Sequence, residues 1–515
     1  MNPRTGLLCL LAVAAPSVAP AQPAVVTRAA HTITAADVRR RIFVIADDSM
    51  AGRNTPSPGL TSTASYIASE FLRFGLKPGG DSGSFLLNYP IVQKRLLAGQ
   101  SAVRFIQAGS DRSVELGFPK DAAWAGSELA VGAAKGGVVL VGGQGSLDNL
   151  PATELKDRVI VFVTDWLQPT AASRARTMAG IASRAGARGL VIIVNSDSAF
   201  NARYGRFADR RFQIAGDREP ALFSVAVRES AVVAQVPDAQ DQFEQMRSAP
   251  AAVAQPMTEW EGEIAVRDTT VAATTAPDVV GILEGSDPVL RNEYVVFSAH
   301  MDHIGTAGQP GAQCRPVGTD NICNGADDDG SGTVGVIELA EAFSRPGARP
   351  RRSLIFLTVS GEEHGLWGSQ WFVDHPPVPL PQIVADLNAD MIGRNWKDTI
   401  VAIGKEHSDL GATLNRVNAA HPELHMHAID DRWPEENFYQ RSDHYNFARK
   451  GVPILFFFNG THADYHAATD SPDKIDAEKE SRIVKLLFYL GQAVANAKER
   501  PKWAAESYRA IVQPE

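Results

Sequence analysis

The sequence predicts an α/β fold with a mostly parallel central sheet flanked by helices, into which a β-rich domain is inserted. Two patterns favour this fold class. From about residue 278 to 497, apolar runs of strand length alternate with helical patterns, which is typical of a parallel sheet built from βαβ units. Between residues 120 and 262, short apolar runs are separated by turns and one helical segment interrupts them, which indicates a β-rich domain. We therefore expect two sheets.

Length and composition indicate a globular protein. The chain has 515 residues, of which 44% are hydrophobic and 21% are charged. At about 150 residues per domain this length suggests two or three domains with enough apolar material for buried cores. The formal net charge of −9 argues against a nucleic-acid partner, because nucleic-acid binders normally carry a concentrated basic face.

The first 21 residues have the pattern of a cleavable signal peptide. Arg4 supplies a positive charge, residues 6–15 are apolar, and Ala19-Pro20-Ala21 has the A-x-A form of a cleavage site. A membrane anchor fits less well, because a spanning helix needs about 20 apolar residues and two prolines interrupt this stretch. No later segment is long and apolar enough to cross a bilayer, so we expect a secreted or periplasmic protein with no membrane contact.

Two of the three cysteines, Cys314 and Cys323, would remain after cleavage of the signal peptide. Eight residues separate them in a loop rich in glycine and proline. An isolated close pair in an oxidising compartment is consistent with a disulfide, and two free thiols are the alternative.

Residues 22–119 are expected to form the N-terminal part of the main domain. Within residues 61–74 the apolar side chains recur at helical spacing, on one face of a helix. Gly75 and Pro78 then supply the stop signal. The turn-rich segment 49–59 is either a plain surface loop or a loop near a functional site.

The inserted domain is expected at residues 120–262. Its predicted strands are 138–141, 159–163, 190–194 and 223–227, and its predicted helix is 174–185. This block carries no obvious catalytic residues.

Residues 263–515 are expected to complete the main domain. The predicted strands are 294–298, 353–359, 383–387 and 452–458, and the predicted helices are 333–343 and 477–497. No internal repeat or low-complexity tract interrupts them.

Side chains that can bind metals follow each of these four strands. In chain order they are His300 and Asp302, then Glu362 and Glu363, then Asp390, then His462, Tyr465 and His466, while Asp328 directly precedes a predicted helix. In open α/β sheets, ligands bind in the crevice beyond the carboxyl ends of the strands. We therefore expect these side chains to converge.

The donor types suit a pair of divalent cations. Imidazole nitrogen and carboxylate oxygen bind zinc, cobalt or manganese. One structural zinc would need only four ligands, whereas two imidazoles and three carboxylates, one of them shared, match two metals about 3.5–4 Å apart. That arrangement activates a water for hydrolysis.

These segments resemble the co-catalytic zinc aminopeptidases of the bacterial leucyl aminopeptidase and aminopeptidase Y type. The matching segments are His300-x-Asp302, Gly325-Ala-Asp-Asp-Asp-Gly-Ser-Gly332, Glu362-Glu363-x-Gly365-Leu366-x-Gly368-Ser369, Asp390-Met391-Ile392-Gly393, Tyr465-His466 and Asp470-Ser-Pro-Asp-Lys-Ile475. The resemblance covers the N-terminal helical stretch and residues 278–497, and it implies a zinc-exopeptidase-like fold. The inserted block is similar to a protease-associated domain in its segments Leu155-Lys-Asp-Arg-Val-Ile-Val161 and Ala185-Gly-Ala-Arg-Gly-Leu-Val-Ile-Ile193.

The resemblance also implies a role for each site residue. One zinc ion would take His300 and Asp390, the other would take Glu363 and His466, and Asp328 would bridge them. Glu362 would be the general base, Tyr465 would donate a hydrogen bond to the developing oxyanion, and Asp302 would be the partner of His300. The last role also follows from physics, because a ligating imidazole usually donates its other N–H to a carboxylate.

Three sets of residues near the motifs are not part of the predicted ligand set. Asp329 stands where the family usually has asparagine, and it either weakens water activation or serves the turn. His303, His364 and His444 also lie close to the motifs, but we do not expect them to be metal ligands. Ser442-Asp443-His444 contains the residue types of a nucleophilic triad, but no Gly-x-Ser-x-Gly turn accompanies it, so we expect a supporting role there.

The resemblance predicts an exported aminopeptidase that acts on peptides with a free N-terminus. A carboxypeptidase or dipeptidase with the same metal centre is one alternative, because the metals set hydrolysis while other residues select the substrate terminus. A receptor-like binding protein without activity is a second alternative, and the full ligand set argues against it. A single-metal glutaminyl cyclase is disfavoured for the same reason.

Overall fold

The computed structural model describes residues 24–126, 131–205, 210–216, 222–309 and 311–513. The predicted signal peptide, residues 1–21, lies outside these ranges. Within them, none of the helices combines the length and apolar character that a membrane span requires. Cys314 and Cys323 are joined in a disulfide, with their Cα atoms 5.5 Å apart.

The elements are numbered in chain order. The strands are β1 (Lys77–Pro78), β2 (Leu86–Leu96), β3 (Ala102–Gln107), β4 (Ser113–Gly117), β5 (Ala122–Trp124), β6 (Gly132–Gly142), β7 (Val159–Val163), β8 (Gly189–Val194), β9 (Arg210–Ile214), β10 (Phe223–Arg228), β11 (Val253–Val266), β12 (Asp268–Leu283), β13 (Tyr294–His300), β14 (Ser353–Val359), β15 (Ile383–Ala389), β16 (Thr399–Ile403), β17 (His427–Ile429) and β18 (Ile454–Phe458). The α-helices are α1 (Ala24–Ala30), α2 (Ala35–Ile45), α3 (Pro58–Arg73), α4 (Ala152–Leu155), α5 (Ala171–Arg184), α6 (Asp197–Arg203), α7 (Glu229–Val233), α8 (Ala239–Ser248), α9 (Gly330–Ser344), α10 (Trp367–Asp374), α11 (Leu410–Ala420), α12 (His444–Ala448), α13 (Ala477–Asn496) and α14 (Ala505–Val512).

The first sheet has the strand order β17-β16-β18-β15-β13-β14-β12-β2-β9, with β1 beside β12. Its four central strands β14, β13, β15 and β18 run parallel. The strands outside them on both sides, β12 and β16, pair antiparallel with this core. The predicted α/β class is therefore confirmed, and the parallel pairing is concentrated at the centre of the sheet.

Helices cover both faces of the first sheet. On one face α2, α3, α9 and α13 contribute to the largest apolar cluster, and on the other α10 and α12 contribute to a second one. Every residue of β14 is buried, as expected for a strand covered on both sides. Helix α9 buries Val336, Ile337, Ala340 and Phe343, and each large apolar side chain buried in this way stabilises the fold by about 1.5–3 kcal/mol.

The second sheet has the order β4-β3-β11-β6-β7-β8-β10-β5, with β6, β7, β8 and β10 parallel. It includes β3 and β4, which precede the expected boundary at residue 120, and it ends with β11 at Val266. Strand β9 lies inside this block in sequence, yet it pairs with β2 of the first sheet. The exact domain boundaries, 120 and 262, stay a prediction.

Candidate metal centre

The predicted donors lie at the carboxyl edge of the parallel strands. Strand β13 ends at His300 and lies between β14 and β15. The chain passes from β13 to β14 on one side and later adds β15 on the other side, so the strand order reverses at β13. Such a reversal of strand order is where open α/β sheets form a binding crevice. Glu362 and Glu363 follow β14, and Asp390 follows β15.

One group of donor atoms surrounds His300. Its Nε2 lies 3.4 Å from Asp328 Oδ1 and 3.6 Å from Asp390 Oδ1. All three side chains are buried. Two ligands about 2.1 Å from one tetrahedral zinc lie about 3.4 Å from each other, so these separations suit a shared cation.

A second group lies on the other side of Asp328. His466 Nε2 is 3.2 Å from Asp328 Oδ2 and 3.2 Å from Glu363 Oε2. The two oxygens of Asp328 therefore face different imidazoles, which is the arrangement of a bridging carboxylate. All five predicted metal ligands are brought together.

The donor set fits divalent cations. Asp390 Oδ1 is buried and accepts no hydrogen bond from the described residues, so a cation would supply the partner it lacks. Imidazole and carboxylate are ligands that zinc accepts, and within the described ranges they form two compact groups, one of which contains His303. His300, Asp328 and Asp390 would hold one cation, and Glu363 and His466 with Asp328 would hold another.

The neighbours of Asp328 hold the loop that carries it. Asp329 Oδ1 accepts hydrogen bonds from the backbone N–H groups of Gly332, at 2.7 Å, and Met391, at 3.2 Å, and Oδ2 accepts one from His300, at 3.2 Å. Asp327 Oδ1 accepts the N–H of Gly393 at 2.7 Å. Asp329 thus caps α9 and ties three loops together, which assigns it to the turn and leaves Asp328 to face the cations.

Asp302 lies beside His300 as expected, but its backbone oxygen is closer to the imidazole than its carboxylate is. His300 Nδ1 is 3.2 Å from the backbone oxygen of Asp302 and 3.7 Å from its carboxylate. The carboxylate itself accepts the N–H of Glu362, at 3.3 Å, and the hydroxyl of Thr55, at 3.1 Å. Asp302 therefore orients both His300 and the start of the Glu362 turn.

Glu362 and Tyr465 flank the donor atoms. Glu362 Oε2 is 4.0 Å from His300 Nε2, and burial, with the charge of neighbouring Glu363 adding to it, raises the pKa of its carboxyl well above the ordinary value. The Tyr465 ring stacks on His466 with centroids 3.9 Å apart. Burial raises the pKa of the Tyr465 phenol well above its ordinary value, so it keeps its proton at neutral pH and can donate a hydrogen bond.

Two further side chains support the donors: Ser442, for whose segment a supporting role was expected, and Arg53, which the sequence did not single out. The Ser442 hydroxyl donates to Asp390 Oδ2 at 2.9 Å. Arg53 is buried and donates to the backbone oxygens of Met301, at 2.7 Å, and Gly325, at 2.8 Å. The turn-rich 49–59 segment therefore belongs to the site.

The other histidines near the motifs separate into two kinds. His303 Nδ1 lies 2.9 Å from Glu363 Oε1 and 3.7 Å from Asp328 Oδ2, within the second donor group. His364 Nε2 bonds to Asn54 Oδ1 at 3.1 Å, and His444 Nε2 bonds to the backbone oxygen of Tyr439 at 2.8 Å. With Ser442 committed to Asp390, Ser442 and His444 do not form a nucleophilic pair.

The centre opens into a small cavity. The five predicted ligands line this cavity together with Glu362 and Tyr465. The rest of its walls are formed by Met391, Phe438, Arg441, Ser442, Phe456, Phe458 and Thr461. Aromatic and polar side chains thus meet beside the centre.

The donor set suits a metal-dependent hydrolase. Residues 278–491 match the family model described as Peptidase family M28.

Relatives with known names match parts of the chain. Leupeptin-inactivating enzyme 1 from Streptomyces exfoliatus is 32% identical over 197 residues, which are 38% of this chain and 38% of that protein. A probable leucine aminopeptidase from Arthroderma otae is 27% identical over 229 residues, 43% of this chain and 58% of that protein. The chain thus spans less than two thirds of the length of these relatives.

The aminopeptidase from Aneurinibacillus sp. strain AM-1 has a similar structure. The alignment covers 92% of this chain and 97% of that protein, with a TM-score of 0.51 and 16% sequence identity. At this identity the likeness concerns the fold, and it includes the region of the second sheet.

Proposed function

We propose that this protein is an exported aminopeptidase that removes N-terminal residues from peptides. For this hydrolysis it would use two divalent cations, most simply zinc. The observation that carries the proposal is the position of Asp328, whose two oxygens each face an imidazole of a different donor group. The match to the M28 family model and the aminopeptidase names of relatives support it. The second sheet would be the protease-associated domain.

The proposed chemistry assigns a step to each neighbouring side chain. When bound, the two cations would lower the pKa of a shared water and polarise the scissile carbonyl. Glu362 accepts the proton of the attacking water and returns it to the departing amine. Tyr465 donates its phenolic hydrogen to the developing oxyanion, and one well-placed donor of this kind is worth about 3–4 kcal/mol.

Export is supported by two observations. The disulfide between Cys314 and Cys323 is of the kind that persists in oxidising compartments. The first 21 residues have the sequence pattern of a signal peptide. Sequencing the N-terminus of the exported chain would test this part, because a protein that keeps Met1 would contradict it.

One experiment tests the catalytic proposal. The full chain is analysed for bound metal and assayed on matched peptides with free and acetylated N-termini. We expect about two cations per chain and cleavage of the free peptide alone. The Glu362→Gln variant should keep its metal and lose turnover, while Glu341→Gln, on α9 away from the centre, serves as the matched control.

Four results would count against the proposal or part of it. Equal cleavage of the acetylated peptide would indicate a carboxypeptidase, and exclusive cleavage of dipeptides would indicate a dipeptidase. Fewer than two cations per chain, with no turnover, would leave the binding-protein alternative. A Glu362→Gln variant with a near-normal rate would remove Glu362 as the base.

A further inference from the structure

Arg441 is the one cationic side chain among the described residues that line the catalytic cavity. Its guanidinium carbon lies over the Phe438 ring, 4.5 Å from the ring centroid, as in a cation–π contact. The next residue, Ser442, is anchored to Asp390. Arg441 is therefore placed by the same segment that positions a metal ligand.

No carboxylate of the centre is needed to neutralise the guanidinium of Arg441. Two divalent cations would balance the four carboxylates of the centre, which are those of Asp328, Glu362, Glu363 and Asp390. Outside the centre, Arg441 Nη1 is 3.5 Å from Glu436 Oε2, but that carboxylate is 51% exposed. A pair of this kind contributes about 0–1 kcal/mol, so the guanidinium remains available to another anion.

The ligand that suits this arrangement is a carboxylate. A planar guanidinium presents parallel N–H donors that match the two oxygens of a carboxylate. Phe438, Phe456 and Phe458 contribute aromatic rings to the walls of the cavity. An aliphatic stem would pack against these rings while its acidic end reaches Arg441.

We propose that Arg441 binds a carboxylate of the peptide substrate and so selects acidic substrates. This inference rests on the proposed peptidase function. The carboxylate would belong either to the side chain of an N-terminal Glu or Asp or to the C-terminus of a very short peptide.

The test compares substrates that differ only in that carboxylate. The full, zinc-loaded chain is assayed on the p-nitroanilides of Glu and Gln, and on Ala-Ala and its C-terminal amide. We expect the carboxylate substrate of one pair to have the higher kcat/KM, and the pair that responds identifies the source. In Arg441→Gln this preference should fall about 10- to 100-fold, through KM, because a charge-assisted hydrogen bond is lost.

Matched variants separate recognition from folding. Arg441→Lys should recover part of the preference because it keeps the charge without the planar fork. Arg449→Gln, exposed eight residues from Arg441, should behave as wild type.

Binding supplies a readout that does not depend on turnover. Calorimetric titration of the zinc-loaded chain with free glutamate and glutamine, or with Ala-Ala and its amide, should show tighter binding of one carboxylate ligand, lost in Arg441→Gln. Cleavage and binding of all substrates with equal efficiency, unchanged in Arg441→Gln, would overturn this inference and leave the proposed function standing. A zinc-loaded chain that cleaves no peptide would overturn both.

Discussion

At the scale of single residues, Asp328 is the side chain that connects the two groups of metal donors. It is the one predicted ligand close to both His300 and His466. A carboxylate shared by two cations keeps them close enough to act on one water. In the proposed centre, each cation would therefore depend on this side chain.

Asp328→Asn should lower the occupancy of both metals, because the amide loses the charge and one of the two oxygens that serve them. We expect bound metal to fall well below two ions per chain, as measured by elemental analysis after dialysis. Asp241→Asn, exposed on α8 of the second sheet, is the control. Full occupancy in Asp328→Asn would mean that Asp328 does not bridge.

The candidate metal ligands could be predicted because each follows a strand or precedes a helix, so local sequence marks its place. The contacts of their supporting partners carry no such mark, although a supporting role was expected of the Ser442 segment. Arg53 binds carbonyls about 250 and 270 residues away in sequence, and Ser442 reaches Asp390 across 52 residues. Such contacts depend on the tertiary fold. His303 was not expected to be a ligand, yet it lies as close to Glu363 as the predicted ligand His466 does.

At the scale of elements, the start of α9 is held by a side chain that serves more than the helix. Asp329 accepts the N–H of Gly332 within α9 and also the N–H groups that follow β15 and end β13. The cap therefore connects a helix and two strands at the metal centre.

Asp329→Ala should lower the free energy of unfolding by about 2–4 kcal/mol, because a helix cap is lost and two further buried N–H groups lose their acceptor. Urea unfolding followed by tryptophan fluorescence would measure this. Asp238→Ala is the matched control, since Asp238 occupies the same position before α8 without capping it. An equal loss in both variants would contradict the assigned role.

Within β15, Asp386 makes stability depend on pH. Burial raises its pKa to about 8, although the Ser298 hydroxyl donates to it at 2.7 Å. Between about pH 4, the ordinary value, and pH 8 the folded chain holds a proton that the unfolded chain has lost. The contribution of Asp386 to the free energy of unfolding therefore falls as pH rises through this window.

Asp386→Asn should remove this dependence, because the amide does not titrate. We expect the loss of unfolding free energy between pH 5 and pH 8 to be about 1–3 kcal/mol smaller than in wild type. Denaturant unfolding at both pH values would measure it, with the exposed Asp398→Asn as control. Parallel pH profiles for Asp386→Asn and wild type would contradict the raised pKa.

The sequence predicted strands correctly where all residues of a strand are buried, because such a strand is a continuous run of apolar residues. The predicted strand 353–359 coincides with β14, and 159–163 coincides with β7, and all residues of both are buried. Strand β12 escaped prediction because its first half is rich in alanine and threonine and is mostly exposed beside β2. Pairing with a neighbouring strand, and not an apolar pattern, defines such a segment.

At the scale of the whole molecule, the metal centre links segments from residue 53 to residue 466. Its donors come from loops after β13, β14, β15 and β18 and from the start of α9. Cations that bind only when these segments are assembled would stabilise the folded chain over the unfolded chain.

Removing divalent metal with a chelator should therefore lower the melting temperature of the full chain. A ligand at 100 times its Kd contributes about 2.7 kcal/mol, so the shift should be several degrees. Differential scanning calorimetry with and without chelator would measure it. Glu362→Gln should show the wild-type shift and Asp328→Asn a smaller one, whereas no shift in wild type would contradict metal binding at this centre.

Strand β9 joins the two halves of the chain in an unusual way, since it is encoded among the strands of the second sheet and completes the outer edge of the first. Excision of the inserted block would remove that border strand and leave the open backbone groups of β2 exposed to other chains. A trimmed catalytic fragment would then tend to associate through this edge. A shortened chain made for expression should accordingly retain the whole insertion.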